Sequence, residues 1–338
     1  MSVRISRVLH AGYVFESKNN KIIFDPIFEN PFSHNCYAFP EVQFDHKKIQ
    51  QMQFSAVFIS HYHDDHCSFD SLVHIHRQTP IYIFCVFDEM ISMIQKLGFK
   101  NVYQLKANDH VQIGDFEIII HPALDVDVDS IFQIKIDGLN ILNVVDSWID
   151  NQTLIVLSQQ ASWDLILWPF QTMREIEVIA PTRAASATTN LPIEWIDQLK
   201  ILNPKYIVPS SCQFQHEDWS WYNHALFPIS YREFKFQIKQ VLPETATIRL
   251  NPSVSYVLDQ NAFNLTIPLD WVIPVGDQNV DYEYNAELKP PSTSEISKKF
   301  AALTDLQNES IFEYCRNELI QKINSLEKST DDNFQIKF

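Results

Sequence analysis

The first 150 residues carry short apolar runs instead of long helical periods. Val3–Leu9, Tyr13–Glu16 and Lys21–Phe24 are rich in β-branched and aromatic residues and predict three strands, with Asn19-Asn20 turning the second into the third. Asp25-Pro26 stops the third run. A continuous apolar run over residues 56–59 predicts a buried strand that ends at Ser60. Phe69–Arg77 and Phe87–Leu97 predict helices on either side of a strand at Ile81–Cys85. Further strands are expected at Phe116–His121, Ile131–Ile136 and Leu139–Val145.

The alternation returns in the second half. Asp164–Trp168 and Tyr206–Pro209 predict strands, and Pro192–Leu202 and Glu233–Val241 predict helices, the former with Pro at its start. Thr247–Leu250 and Val254–Leu258 read as extended. Strand runs thus precede a β/α alternation twice, which predicts an α+β class of two sheets packed face to face with helices outside. The texture changes near residue 260, where Pro268, Pro274, Pro290 and Pro291 punctuate a stretch of little periodicity. Ser292 and Glu295 then have capping-box spacing, and Ile296, Phe300, Leu303, Ile311, Cys315, Leu319 and Ile323 follow at helical spacing. The expected division is a domain over 1–260 and an appendage over 261–338 with a helix near 293–328.

Charge narrows the function. Against 26 Lys+Arg stand 42 Asp+Glu, a formal net charge of -16, which argues against nucleic acid as a partner. A phosphorylated small molecule stays compatible, because bound metal ions supply local positive charge. The 5 glycines, at 12, 98, 114, 138 and 276, allow neither a Walker loop nor a G-x-G-x-x-G turn. No apolar run reaches the ~18 residues of a membrane span. Five scattered cysteines and an N-terminus without an apolar signal core predict a cytoplasmic protein.

The chemistry concentrates in Ser60-His61-Tyr62-His63-Asp64-Asp65-His66, directly after the buried strand. His61 and His63 lie two apart and point the same way on extended chain. Asp65 and His66 come round on the next turn. One metal ion can take the first pair and a second ion the other.

The motif resembles the signature of the metallo-β-lactamase superfamily, with further landmarks at His10-Ala-Gly12, Asp25-Pro26 and Asp146. The resemblance covers roughly residues 1–260. It implies an αββα sandwich with the metals at strand ends between the sheets, and a metal-dependent hydrolase that uses a metal-activated water. Ile120–Asp125, Asn143–Asp146 and Asn203–Pro209 are most similar to the β-lactamase-like domains of N-acylphosphatidylethanolamine phospholipases D and CMP-N-acetylneuraminate hydroxylases. The latter need a Rieske centre, for which no Cys-x-His or Cys-x-x-His pair exists here. The favoured reaction is therefore hydrolysis of a phosphodiester in a small or amphiphilic substrate. A lactone or amide hydrolase and a di-iron redox or oxygenase-type protein are the alternatives.

The resemblance also distributes roles. It makes His61, His63, Asp65 and His66 metal ligands, with Asp65 and His66 at the catalytic step and Asp146 bridging. Its third imidazole on the first metal is matched here by Asp125, with His121 as the rival. Two His and a carboxylate suit Mn(II) or Fe(II) as well as zinc. A late family His is matched by His224 or His216. His216, Trp219, Trp221 and Tyr222 are candidates to line an apolar substrate pocket, and Arg174 and Arg183 are candidate anion contacts. One or two divalent ions are expected, zinc first, with a small-molecule substrate as the partner.

Overall fold

A computed structural model of the chain describes residues 2–160, 162–170, 188–211, 214–288 and 291–329; Arg174, Arg183 and Cys212 lie outside the described residues. Strands β1 (Ser2–Arg7), β2 (Tyr13–Glu16) and β3 (Lys21–Phe24) follow one another as hairpins. The β2–β3 turn closes on a bond from the Ser17 N–H to the Asn20 carbonyl, 2.8 Å. After two short strands, β4 (Tyr37–Ala38) and β5 (Val42–Phe44), the chain forms β6 (Ala56–Ile59), β7 (Ile81–Phe84) and β8 (Val102–Leu105). These three lie parallel to β3.

The second sheet is built from β9 (His110–Ile113), β10 (Phe116–Pro122), β11 (Ser130–Ile136), β12 (Leu139–Asn143), β13 (Leu165–Pro169), β14 (Tyr206–Ser210) and, after the short β15 (Phe214–Gln215), β16 (Ala246–Thr247). Its spatial order is β16-β14-β13-β12-β11-β10-β9, parallel from β12 through β16. β17 (Ser255–Asp259) and β18 (Phe263–Thr266) complete the first sheet, in the order β18-β17-β1-β2-β3-β6-β7-β8.

Alternation sorts each strand's side chains onto two faces. Ile22, Phe24, Ala56 and Phe58 of the first sheet meet Ile118, Ile120, Phe132 and Ile134 of the second in one fully buried cluster. The Phe24 and Phe132 rings touch edge to face at 5.0 Å. The opposite residues, Ile23, Val57 and Ile59 or Ile131, Leu142 and Ile166, join a second cluster with helix residues such as Ile49, Leu72, Trp195 and Leu199. Two sheets face to face with helices outside is the expected α+β sandwich.

Three expectations shift. The helix expected over Phe69–Arg77 stops at Leu72, because the Arg77 guanidinium donates to the carbonyls of Leu72, Val73 and Ile75 and caps the chain's turn there. The first compact unit runs to Leu288 and not to 260. β18 pairs with β17, β19 (Val272–Pro274) pairs with β5, and Trp271 is buried against Phe28, so these residues belong to the sandwich. The second unit starts at Lys289. It holds a helix Thr293–Ser297, capped by Ser292 and Glu295, and then a helix from Asp305 to Ser329 that widens into a π turn over Tyr314–Leu319. The expected helix is thus interrupted between Ser297 and Asp305.

The turn between β1 and β2 lies against the end of β3, and Gly12 permits this approach. A Cβ on Gly12 would fall 2.8 Å from the Asp25 carbonyl oxygen and 2.9 Å from that of Leu9. Both obstacles are backbone and cannot swing aside. Gly12→Ala is expected to destabilise the chain by about 1–3 kcal/mol, the usual cost of overpacking. Urea denaturation measures this, and an unchanged midpoint would show that the turn can move.

Candidate metal centre

The carboxyl ends of β3, β6 and β12 come together at one rim of the sandwich, the usual location for a site in sheets with parallel strands. β3 delivers Asp25, which is buried. Because β3 and β6 run in parallel register, with Phe24 opposite Phe58, Asp25 reaches Ser60 just past β6. Its carboxylate accepts the Ser60 N–H at 2.7 Å, the Ser60 hydroxyl at 2.8 Å and His66 Nδ1–H at 3.1 Å. A buried carboxylate is costly without such donors.

This network fixes two tautomers. Since the Ser60 hydroxyl donates to Asp25, its oxygen accepts from His61 Nδ1–H at 3.0 Å. His61 and His66 therefore both turn Nε2 outward, as metal-binding imidazoles held by a second hydrogen bond do. His61 Nε2 lies 2.9 Å from His63 Nδ1. His66 Nε2 lies 3.2 Å from His10 Nε2, 3.1 Å from an Asp146 oxygen and 3.7 Å from an Asp65 oxygen. Donor atoms of His10, Asp65, His66 and Asp146 all fall within 4.8 Å of one another. Metal–nitrogen bonds of about 2.0–2.1 Å at tetrahedral angles separate donors by about 3.3 Å, so these spacings fit a metal ion. One atom tests the fit directly: Asp146 Oδ1 is buried and has no hydrogen-bond partner. A cation would satisfy it.

The charges point the same way. Burial pulls His61 down to about 3, reinforced by the positive charge on His66, so His61 is a neutral donor. Burial alone would raise Asp65 and Asp146, but the charge on His66 outweighs it and holds both well below the usual carboxylate range. His66 resists burial and is raised because Asp146 and Asp65 face it. In the metal-free chain its proton supplies the positive charge that these carboxylates require.

His10 and Asp129 join the site without having been among the ligand candidates. His10, buried and in the left-handed region at φ 53°, sits in the β1–β2 turn and packs its ring 5.5 Å from Phe32. Asp129 Oδ1 lies 3.8 Å from His61 Nδ1, and burial together with the Asp146 charge raises its carboxyl to about 6. Asp125 is exposed instead; its carbonyl accepts the Asp129 N–H in a turn that brings Asp129, and not Asp125, beside His61. His121 is buried elsewhere, 3.0 Å from Gln133 Oε1. Asp146 follows Val145, whose φ of 64° is strained for a β-branched residue. The Val145 side chain is buried in the core between the sheets, which holds the strained turn.

The late histidines do not reach the donors. His224 is exposed, with Nδ1 3.0 Å from the Glu283 carbonyl, at the end of a one-turn helix Trp221–His224. His216 lies nearer, in a ladder of rings: His10 to Phe214 at 6.5 Å, Phe214 to His216 at 5.7 Å, His216 to Tyr222 at 5.7 Å and Tyr222 to Trp221 at 4.7 Å. Trp219 is exposed. On another side, Tyr62, Phe32, Phe69, Met90 and Met93 line a groove of about 610 Å³ together with Glu29 and Asp64.

Three substitutions test this geometry. Asp25→Asn keeps the shape but weakens the grip on His66, and should cost about 10–100-fold in metal affinity by chelator competition. Asp129→Ala should weaken metal binding while Asp125→Ala leaves it at the parental value; the reverse order would place Asp125 at the donors.

The profile described as "Beta-lactamase superfamily domain" matches residues 4–211. A search of curated proteins finds no match. Among solved structures, the isothiocyanate hydrolase from Delia radicum gut bacteria is 13% identical with a TM-score of 0.54, covering 78% of this chain and 100% of that one. Igni18, a metallo hydrolase from the archaeon Ignicoccus hospitalis, is 16% identical with a TM-score of 0.52, covering 77% and 99%. CmlA, a diiron beta-hydroxylase from Streptomyces venezuelae, is 12% identical with a TM-score of 0.50, covering 76% of this chain and 53% of CmlA, so the chain spans about half of CmlA's length. With the matched residues, the face-to-face sheets and the clustered donors on one rim, the chain belongs to the metallo-β-lactamase superfamily, whose fold holds one or two metal ions.

Proposed function

We propose that this protein is a metal-dependent hydrolase acting on a phosphodiester bond of a small or amphiphilic substrate. The observation that carries the reading is the convergence of His10, Asp65, His66 and Asp146 beside the His61–His63 pair. When bound there, divalent ions lower the pKa of water toward ~7 and polarise the substrate's oxygen. His61 and His63 would hold one ion, with Asp129 beside them; Asp65, His66 and His10 would hold the other, and Asp146 would serve both sets. Asp65 also orients the attacking water. Ser60 and Asp25 keep both imidazoles in the donor tautomer. The groove beside Tyr62 takes the apolar part of the substrate, and His216, Tyr222 and Trp221 line the approach on the other side, with Trp219 at its edge.

Zinc is the first choice of metal, with Mn(II) or Fe(II) favoured to the extent that carboxylates complete the set. The free thiols of Cys36, Cys67 and Cys85 suit a cytoplasmic protein. Asp129 also supports a second reading. A carboxylate-rich pair of sites suits two irons and redox or oxygenase chemistry, the class to which the diiron relative CmlA belongs. Lactone or amide hydrolysis uses the same activated water.

Elemental analysis and a substrate panel decide between these. The metal-loaded chain should hydrolyse a generic phosphodiester faster than a phosphomonoester or a lactone. Replacing His61 and His63 together by Ala should remove at least one ion per chain and abolish turnover. Full metal occupancy in that variant would place the site elsewhere. Two irons per chain with visible absorbance, and no phosphodiester turnover, would favour the redox reading.

A further inference from the structure

Arg7 is fully buried at the end of β1, yet its guanidinium hydrogen-bonds to the carbonyls of Pro209 and His10 and pairs with no carboxylate among the described residues. Nη1 donates to the Pro209 carbonyl at 2.9 Å and Nη2 donates to the His10 carbonyl. The guanidinium also lies 5.1 Å from the centre of the Tyr13 ring. Carbonyl dipoles are weaker partners for a buried cation than a carboxylate, so this arrangement is poorly explained by stability alone.

The two carbonyls belong to different layers. Pro209 lies in β14 of the second sheet, opposite Trp168 of β13. His10 lies in the β1–β2 turn of the first sheet, three residues after Arg7 itself. The guanidinium is a rigid planar fork, so it fixes both acceptors in one geometry, which a flexible ammonium cannot do. His10 is also held at φ 53°, where few side chains rest without support. Fixing its carbonyl fixes the direction in which its imidazole leaves the backbone, toward His66 Nε2 at 3.2 Å and Asp65 Oδ2 at 3.2 Å.

We propose that Arg7 is a positioning residue for the metal centre: its fork ties the His10 carbonyl to the opposite sheet and thereby aims the His10 imidazole at the Asp65, His66 and Asp146 donors. The proposal rests on the reading of His10 as a donor. Arg7 touches neither metal nor substrate and acts only through His10.

Cobalt(II) is the probe, because its visible spectrum reports ligand geometry at each ion independently of turnover. In the full chain, Arg7→Met should weaken binding of one of two cobalt ions about tenfold and change its spectrum. The other ion, on His61 and His63, should bind as in the parent, which shows that the variant is folded. Arg7→Lys keeps the charge without the fork and should behave like Arg7→Met. In a His10→Ala background, Arg7→Met should have no further effect on cobalt affinity. Three results would overturn the proposal: parental cobalt binding in Arg7→Met, full recovery in Arg7→Lys, or an equal loss from Arg7→Met with and without His10. If His10→Ala itself binds both ions like the parent, the donor reading of His10 falls, and the proposal falls with it.

Discussion

One buried carboxylate organises the centre. Asp25 accepts three hydrogen bonds at the end of β3, two from Ser60 and one from His66. None of those donors is optional, because each lost bond would leave a buried polar group unsatisfied at a cost of about 1–3 kcal/mol. The consequence for chemistry is directional. With Nδ1 of His61 and of His66 committed inward, Nε2 of each ring faces Asp65, Asp146 and His63, a lone pair on His61 and, on His66, a position that a metal ion would take from the proton. Ser60 lies next to three histidines and could be taken for a nucleophile. Its proton is already given to Asp25, so it is part of the scaffold.

The donors come from both sheets, which makes the centre sensitive to how the sheets pack. His10, Asp65 and His66 ride on the first layer, while Asp146 rides on the second, which also brings Asp129 beside His61. What fixes the distance between layers is the aromatic cluster of Phe24, Phe58 and Phe132, each fully buried. Fully burying one such side chain contributes about 1.5–3 kcal/mol, and the interdigitated rings leave little freedom to slide. An ion held by donors from both layers would add its binding free energy to the same interface, which would link sheet packing to metal affinity.

The legible part of the site was the part written locally. Residues 60–66 form one loop, so their proximity follows from spacing alone. Asp25 and Asp146 were marked by position, each just past an apolar strand. Asp129 escaped notice because spacing alone does not separate it from Asp125, whereas β11 starts at Ser130 and the acids before it form a turn. Ser130, next in sequence, donates to the Ser60 carbonyl, and this draws Asp129 toward His61. His224 had suitable spacing, but its partner is the Glu283 carbonyl, in a segment that the change of texture near 260 assigned to the appendage. His10 stood in a landmark triplet, yet nothing local reveals that its imidazole crosses to His66, more than fifty residues away. That contact depends on the register of β1 with β2 and on the close approach that Gly12 allows.

The acidity of the chain acts on this centre in two opposed ways. At long range, a net charge of -16 repels an anionic substrate and attracts cations, so the field favours metal loading over substrate capture. At short range the balance reverses. On the proposed two-ion reading, two dications would carry four positive charges against three negative ones from Asp65, Asp146 and the nearby Asp129, leaving about one net positive charge there. A single carboxylate more would cancel it. On that reading the exposed position of Asp125 matters, since drawing it in as well would leave the centre neutral. The positive charge that remains acts over only a few ångströms in salt solution, because the Debye length is about 8 Å at physiological ionic strength. On the proposed reading, capture would rely on apolar contact in the groove beside Tyr62, where Phe32, Phe69, Met90 and Met93 offer surface that binds without regard to sign.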